Sequence, residues 1–269
     1  MNKKREYLVE RINTMKSFLC IGLDPDIDKI PAFYRNSSSP LLNFCADVVH
    51  NSFDHVVAYK INIAFFESQG PEGWRQLEEL VKLIPNECFV IADAKRADIG
   101  NTSSHYAKYY FERLNVDALT LHPYMGVDSL EPFLNYHNKW SVILALTSNK
   151  GSNDFEKLKI ENQQYLFESV IQKFNSTEFA DQIMFVIGAT NPEYMQQIRT
   201  QAPNSFFLIP GIGEQGGELE ETVRKLRNKD GGMLINVSRK ILFPNGLETT
   251  MDDIRTSILD YANQMKSLF

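Results

Sequence analysis

The chain has 269 residues, of which 43% are hydrophobic and 23% are charged, and it carries a formal net charge of -6. This composition is that of a soluble globular protein and excludes a largely disordered chain. The negative charge argues against binding to nucleic acid or to an anionic membrane, since both need an extended basic surface. No linker or low-complexity tract divides the sequence, so we expect a single domain over residues 1–269.

The N-terminus and the cysteines indicate a cytoplasmic protein. Glu6 and Glu10 interrupt the basic start of the chain, so no apolar segment long enough for a signal peptide follows it. No window approaches the roughly 18 apolar residues of a membrane span. The cysteines are odd in number and widely spaced in apolar surroundings, which predicts buried free thiols in a reducing compartment: Cys20, Cys45 and Cys88.

Eight short apolar runs follow one another along the chain, and each ends in polar residues or glycine. The runs are continuous rather than alternating, which is typical of parallel strands that helices cover on both faces. The predicted strands span residues 18–24, 56–62, 88–95, 118–124, 142–148, 183–190, 206–213 and 233–239.

The segments between these runs have helical patterns. Apolar residues recur at spacings of three and four over residues 41–49 and 74–84, so each segment would present one apolar stripe to the sheet. Eight strand–helix units favour a closed (β/α)8 TIM barrel, and an open doubly wound sheet, usually of about five or six strands, is the alternative. The longest inter-strand stretch, residues 149–182, begins with residues 149–154, which we interpret as a mobile loop and a candidate lid.

Charged residues follow the second and third predicted strands. Active sites of such barrels lie at the C-terminal ends of the strands. Asp93 and Lys95 are two residues apart and would point to the same side, with Lys60 at the end of the neighbouring strand and Asp98 in the following loop. Ion pairs that merely close the barrel mouth would also explain these charges, because buried charges need partners. We favour a functional site, because perturbed charged groups cluster at such positions.

Two features near the last two strands predict a phosphate site. Residues 210–217 are rich in glycine, whose backbone N–H groups can approach an anion closely. Arg239, at the end of the eighth strand, could bind the same phosphate through two hydrogen bonds. The glycine-rich loop alone would indicate only a tight turn, so the prediction depends on its combination with Arg239 in the usual phosphate position of barrels.

His122 closes the fourth predicted strand and has three interpretations: a metal ligand, a base, or a hydrogen-bonded structural residue. The five histidines lack the spacing of a metal-binding motif, and no cysteine pair supports a zinc site. We interpret His122 as structural and predict no metal site.

The chain resembles the orotidine 5′-phosphate decarboxylase family, in its longer bacterial branch, over nearly its whole length. The resemblance rests on charged, glycine-rich and hydroxyl-bearing positions: Lys60, the motif Asp93-x-Lys95-x-x-Asp98-Ile99-x-x-Thr102, residues 147–152, the loop 210–217 with Gln215, and Arg239. Lys150 departs from the family, which usually has proline after Ser148-Asn149, and this leaves the rigidity of that loop open.

The resemblance implies decarboxylation of orotidine 5′-phosphate to uridine 5′-phosphate, the last step of pyrimidine nucleotide synthesis, with no metal or organic cofactor. It implies a homodimer with shared active sites, in which Asp98 reaches into the partner's site and Lys95 donates the proton that replaces CO2. The implied catalytic residues are Lys60, Asp93, Lys95 and Asp98. The implied substrate-binding residues are Asp24, Asp98 and Thr102 at the ribose, Ser148 at the pyrimidine, Gln215 and Arg239 at the phosphate, and also Ile99 and Pro210.

Two other functions compete with this one. Related barrel enzymes that decarboxylate or cleave sugar phosphates share the Asp-x-Lys-x-x-Asp segment but bind Mg²⁺ through a further acidic ligand. Lys60 favours the metal-free enzyme, and no such ligand is evident in the sequence. An inactive barrel that only binds a phosphorylated nucleotide is disfavoured, because all four charged residues are present.

Overall fold

Eight parallel strands form a closed barrel in a computed structural model that describes residues 3–213 and 218–269. Each strand pairs with the next one along the chain, and the eighth pairs with the first. The predicted (β/α)8 barrel is therefore confirmed. The strands are β1 Leu19–Leu23, β2 Ala58–Asn62, β3 Phe89–Arg96, β4 Ala118–Leu121, β5 Trp140–Leu146, β6 Ile183–Ile187, β7 Phe206–Pro210 and β8 Met233–Val237.

The strands coincide with the eight predicted runs to within a few residues. All five residues of β1, β6 and β8 are buried. Helices cover the outer face and packed side chains fill the barrel, so both faces of each strand exclude water. This is the physical reason why the runs are continuous instead of alternating.

Helices alternate with the strands around the barrel. The two predicted apolar stripes form α3 and α5, which have proline in their first turn, where a missing N–H costs nothing. The described α-helices are α1 Arg5–Met15, α2 Ala32–Arg35, α3 Pro40–His50, α4 Ile63–Glu67, α5 Gly70–Leu83, α6 Gly100–Ala107, α7 Glu131–Leu134, α8 Leu166–Asn175, α9 Pro192–Gln201, α10 Leu219–Leu226, α11 Arg239–Leu242 and α12 Met251–Ser267. None of the helices in these two ranges is long and apolar enough to cross a membrane.

Shorter helical turns complete the described structure. A π-helix, Lys108–Arg113, continues α6, and 3₁₀-helices span Lys150–Asn153, Ala180–Gln182 and Gly246–Glu248. The segment that we interpreted as a loop and candidate lid therefore contains a 3₁₀ turn, which residues 147–149 separate from β5.

The N-terminal end of the barrel is closed by the start of the chain. Lys3 Nζ donates to Oδ2 of Asp117 at 2.6 Å and to the carbonyl oxygen of Cys88 at 2.7 Å. Trp140 Nε1 donates to the carbonyl oxygen of Lys3 at 2.9 Å. These contacts tie the chain across the beginnings of β3, β4 and β5, so a ligand has access to the barrel from the opposite end.

The three cysteines are buried and form no disulfide, as predicted. Burial raises the pKa of Cys20 to about 12 and the pKa of Cys88 to about 11. Neither thiol is therefore a reactive thiolate at neutral pH.

Arg199 of α9 is buried, and its guanidinium hydrogen-bonds only to carbonyl oxygens among the described residues. It donates at 2.7 to 3.0 Å to the carbonyls of Ala202, Ser205, Leu226 and Gly232. We expect Arg199→Met to lower the free energy of unfolding by about 3–5 kcal/mol, because several buried acceptors lose their donor. Urea denaturation followed by circular dichroism measures this loss.

Arg224→Met is the matched control, because Arg224 is exposed on the neighbouring helix α10. Its free energy of unfolding should change by less than about 0.5 kcal/mol. An Arg199→Met variant as stable as this control would refute the structural role of the guanidinium.

Candidate active site

A cavity of about 270 Å³ lies at the C-terminal ends of the strands. Its lining residues come from all eight strands or the loops that follow them. Seven residues proposed from the sequence are among them: Asp24, Lys60, Asp93, Lys95, Ser148, Pro210 and Arg239. Three polar lining residues, Thr120, Asn236 and Ser238, were not singled out from the sequence. The barrel thus brings together residues that are up to 215 positions apart (239 − 24).

Asp93 is bonded to two ammonium groups. Its Oδ2 accepts a hydrogen bond from Lys60 Nζ at 2.7 Å, and its Oδ1 accepts one from Lys95 Nζ at 2.5 Å. Lys60 Nζ also lies 3.9 Å from Oδ1 of Asp24. The three charges predicted to meet at the ends of β2 and β3 therefore do meet.

The electrostatics of this cluster keep Asp93 and Lys60 ionised. Burial alone would raise the pKa of Asp93, but the charges of Lys60 and Lys95 outweigh it and hold that pKa well below its usual range. Burial alone would lower the pKa of Lys60, but Asp93 and Asp24 raise it above its usual value. Asp93 is therefore a carboxylate and Lys60 an ammonium at neutral pH, and both line the cavity.

Strand β3 brings Asp93 and Lys95 together by an irregular path. Its register with β4 shifts between Ala92 and Arg96. Lys95 has a φ angle of 49°, in the left-handed region that residues other than glycine rarely adopt. Simple strand alternation, on which the prediction was based, is therefore not how the two side chains come to meet. A bulge at the end of β3 turns the lysine toward the carboxylate.

Asp24 follows β1 and keeps one acceptor unused. Ser238 Oγ donates to its Oδ2 at 2.5 Å, whereas its Oδ1 is buried and accepts no hydrogen bond within the described part of the chain. A buried acceptor without a partner in a cavity is a position where a ligand hydroxyl can donate.

Three side chains hold the segment around Ser148 by hydrogen bonds. Thr190 Oγ1 donates to the carbonyl oxygen of Ser148 at 2.9 Å, and Asn191 Nδ2 donates to that of Thr147 at 3.0 Å. The Glu156 carboxylate accepts the Thr147 N–H at 2.7 Å and the Thr147 hydroxyl at 2.9 Å. The turn after β5 is thereby fixed against the cavity.

Glu156 is a buried carboxyl group whose pKa burial raises, although the hydrogen bonds from Thr147 partly oppose the shift. A carboxyl group whose pKa is higher in the folded protein than in the unfolded chain destabilises the fold when it ionises. Its contribution to the free energy of unfolding therefore falls as the pH rises from 4.5, the ordinary pKa of this group, through its pKa in the folded protein. We expect Glu156→Gln to remove this fall. Urea denaturation between about pH 4.5 and 7 should show the variant gaining stability over the wild type as pH rises.

Glu178→Gln is the control, because Glu178 is exposed. The difference in free energy of unfolding between this variant and the wild type should vary less with pH. If the free energies of unfolding of Glu156→Gln and the wild type differ by the same amount at all pH values, the pKa of Glu156 is not raised in the folded protein.

Asp98, Ile99 and Thr102 are not among the described residues that line the cavity. Asp98 Oδ1 accepts the N–H of Ile99 at 2.7 Å, and the Asp98 N–H donates to Ser103 Oγ at 3.0 Å. Ile99 is 66% exposed, and Thr102 is exposed on α6. Within one chain, the fourth residue of the predicted tetrad therefore lies apart from the other three.

The region after β7 and β8 has the turn and the cation that a phosphate site needs. Gly211 and Gly213 have φ angles of 99° and 80°, which favour glycine. Arg239 begins α11 directly beyond β8 and lines the cavity. Gln215, which we predicted to bind phosphate, lies outside the described residues.

His122 lies beyond β4 and is not among the described residues that line the cavity. Its ring stacks on that of Tyr124, with 6.5 Å between the ring centroids. Among the residues that the structure describes, no three His, Cys, Asp or Glu side chains are placed to hold a metal ion.

Known proteins resemble this chain in sequence and in fold. The model of the orotidine 5′-phosphate decarboxylase / HUMPS family matches residues 17–251. Orotidine 5′-phosphate decarboxylase of Bacteroides fragilis is 44% identical over 268 residues, which cover 98% of this chain and 97% of that protein. That of Porphyromonas gingivalis is 45% identical over 245 residues, covering 90% and 88%. The structure of Leishmania donovani OMP decarboxylase matches with a TM-score of 0.84 and 34% identity, covering 98% of this chain and 97% of the other.

Proposed function

The chain belongs to the orotidine 5′-phosphate decarboxylase / HUMPS family, and from this premise we propose that it converts orotidine 5′-phosphate to uridine 5′-phosphate and CO2 in pyrimidine synthesis. The observation that carries the proposal is the Asp93 carboxylate, only 10% exposed, with Lys60 and Lys95 bonded to its two oxygens at the wall of a cavity that extends to Arg239. In the proposed reaction neither a metal ion nor an organic cofactor takes part.

Lys95 is proposed to stabilise the reacting carbon and to protonate it. Loss of CO2 from C6 leaves an electron pair in the plane of the pyrimidine ring, where the π system cannot delocalise it, so the protein must place positive charge beside C6. The Lys95 side chain is 51% exposed and that of Lys60 is 7% exposed, so Lys95 is the more accessible of the two lysines. Its ammonium then donates the proton that replaces CO2.

Asp93 and Lys60 support this step in different ways. Asp93 holds the Lys95 ammonium, and we place the substrate carboxylate beside it, where repulsion between like charges favours departure as neutral CO2. Lys60 keeps Asp93 ionised through its hydrogen bond at 2.7 Å. Lys60 is also close enough to Asp24 to approach the same ribose hydroxyl groups.

The residues proposed for the remaining substrate contacts are distributed around the mouth of the barrel. The unused Oδ1 of Asp24 accepts a ribose hydroxyl, and Ser148 contacts the edge of the pyrimidine. Arg239 and the residues directly after Pro210 bind the phosphate, and the family resemblance assigns Gln215 to the same group. Because the phosphate is remote from C6, its binding energy serves to hold the substrate in a closed, water-poor site.

The active enzyme is proposed to be a homodimer with shared sites, located in the cytoplasm, where thiols stay reduced. Asp98 and Thr102 would complete the partner's ribose site, with Ile99 beside them. Two observations support this proposal. These three residues do not line the cavity of their own chain, and the loops after β3 and β4 expose apolar side chains. Ile99, Tyr124 and Met125 are 66%, 52% and 44% exposed, and a second copy of the chain would cover such a surface.

Magnesium-dependent sugar-phosphate enzymes of the related barrel group are the alternative. Lys60 argues against them, because its ammonium lies 2.7 Å from the Asp93 carboxylate and would repel a divalent cation bound there.

Purified protein treated with EDTA tests the proposal. It should deplete orotidine 5′-phosphate, followed by ultraviolet absorbance, at the same rate as untreated protein, and added Mg²⁺ should not increase that rate. Absence of turnover under both conditions would refute the proposal, and turnover restored only by Mg²⁺ would favour the alternative.

A further inference from the structure

Thr120 lies in the centre of β4 between the two reacting groups of β3. Its side chain is buried, with 1% of the residue exposed. Its hydroxyl donates to Oδ1 of Asp93 at 3.0 Å and accepts the backbone N–H of Lys95 at 2.9 Å. A hydroxyl has one hydrogen to donate and lone pairs to accept with, so both bonds form at once.

The pairing of β3 with β4 explains why this hydroxyl is needed. Ala92 pairs with Leu119 and Arg96 pairs with Leu121, so residues 93–95 of β3 face Thr120 alone. In this bulge the Lys95 N–H donates to the threonine side chain instead of to a carbonyl of β4. At Lys95, whose φ angle is 49°, the Thr120 hydroxyl thus takes the place of the backbone carbonyl that would accept this N–H in a regular sheet.

We propose that Thr120 is a positioning residue that holds the Lys95 ammonium in its reactive place, an inference that rests on the proposed function. The hydroxyl fixes the lysine at both ends: at its backbone through the N–H, and at its ammonium through the carboxylate that both groups share. Lys60 on Oδ2 and Thr120 on Oδ1 together set the rotation of the Asp93 carboxylate. Lys95, whose long side chain is half exposed, would otherwise sample many rotamers.

Thr120→Val removes the hydroxyl and keeps the shape of the side chain. We expect kcat for orotidine 5′-phosphate to fall about 10- to 100-fold, because a small displacement of a catalytic group has effects of this size. KM and the Kd for uridine 5′-phosphate should change less than about threefold, since the phosphate contacts are untouched. Thr120→Ser restores the hydroxyl and should return kcat to within about threefold of the wild type.

Thr222→Val is the matched control, because Thr222 is equally buried, at 1%, on α10 away from the cavity. Its kcat should equal that of the wild type. A Thr120→Val kcat within about twofold of wild type, a serine variant as impaired as the valine variant, or a loss confined to KM would each overturn the inference. If the valine variant fails to fold, Thr120→Ala takes its place.

The wild-type enzyme in the same assay separates this inference from the proposed function. If the wild type does not decarboxylate orotidine 5′-phosphate, the proposed function fails, and crystal structures of the wild type and Thr120→Val test the positioning alone. The variant should then show Lys95 Nζ more than about 4 Å from Asp93 Oδ1, beyond ion-pair distance. An unchanged distance together with an unchanged Lys95 φ angle would overturn the inference.

Discussion

Lys95→Ala should lose nearly all turnover of orotidine 5′-phosphate, by at least about 10⁴-fold in kcat, and should still bind uridine 5′-phosphate. The variant loses both the positive charge beside C6 and the proton that replaces CO2. The fold should persist, because Asp93 keeps its bonds to Lys60 and Thr120. Ultraviolet assays measure kcat, and isothermal titration calorimetry measures the Kd for the product.

Lys95→Arg separates the two roles of the lysine. A guanidinium keeps the positive charge but holds its proton too tightly to donate it, so this variant should also be nearly inactive if proton transfer is essential. Lys82→Ala, on the exposed face of α5, is the control and should keep full activity. Retention of more than about 1% of wild-type kcat by Lys95→Ala would refute its role as proton donor.

Asp98→Ala should be nearly as inactive as Lys95→Ala, yet a mixture of the two inactive proteins should regain activity. In a heterodimer, one of the two sites combines the intact Lys95 of one chain with the intact Asp98 of the other. Random exchange of equal amounts makes half of the dimers heterodimers, so about a quarter of wild-type activity is expected. Activity is measured after subunit exchange that native mass spectrometry has confirmed.

A mixture of Lys95→Ala with Asp93→Asn is the matched control. Asp93 and Lys95 of the same chain form one ion pair, so each substitution damages the site of its own chain. Neither site of the heterodimer is then intact, and no activity should return. Failure of the Lys95→Ala and Asp98→Ala mixture to recover, despite confirmed exchange, would show that Asp98 does not act across the dimer.

The sequence predicted the barrel because its signals are local and repeated. Each strand is a continuous apolar run, and each run is followed by polar or glycine residues where the strand ends. The family resemblance, confirmed by the match over residues 17–251, adds the same architecture. Lys60, Asp93 and Lys95 could be placed together because parallel strands in a barrel bring their C-terminal ends to one face.

Other features of the site depend on tertiary contacts that no local pattern encodes. The left-handed backbone of Lys95 and the bulge in β3 arise from pairing with β4, and no glycine marks the position. Thr120 looks like an ordinary β-branched strand residue, and Glu156 like an ordinary loop acid. One signal was available for Thr120: it is the only hydroxyl-bearing residue within β4.

Glu156 and Arg199 show how far such contacts reach along the chain. Glu156 bonds to Thr147, nine residues earlier and on the other side of a 3₁₀ turn. Arg199 bonds to the carbonyl of Gly232, 33 residues later. In both cases the partner is defined by the folded barrel and not by sequence spacing.

Product analysis in D2O tests the central claim most directly. Chelator-treated enzyme should convert orotidine 5′-phosphate completely to uridine 5′-phosphate that carries deuterium at C6, as read by proton NMR, because the exchangeable Lys95 ammonium supplies that atom. Unchanged substrate, or product that forms only after Mg²⁺ is restored, would contradict metal-free decarboxylation at the site formed by Lys60, Asp93 and Lys95.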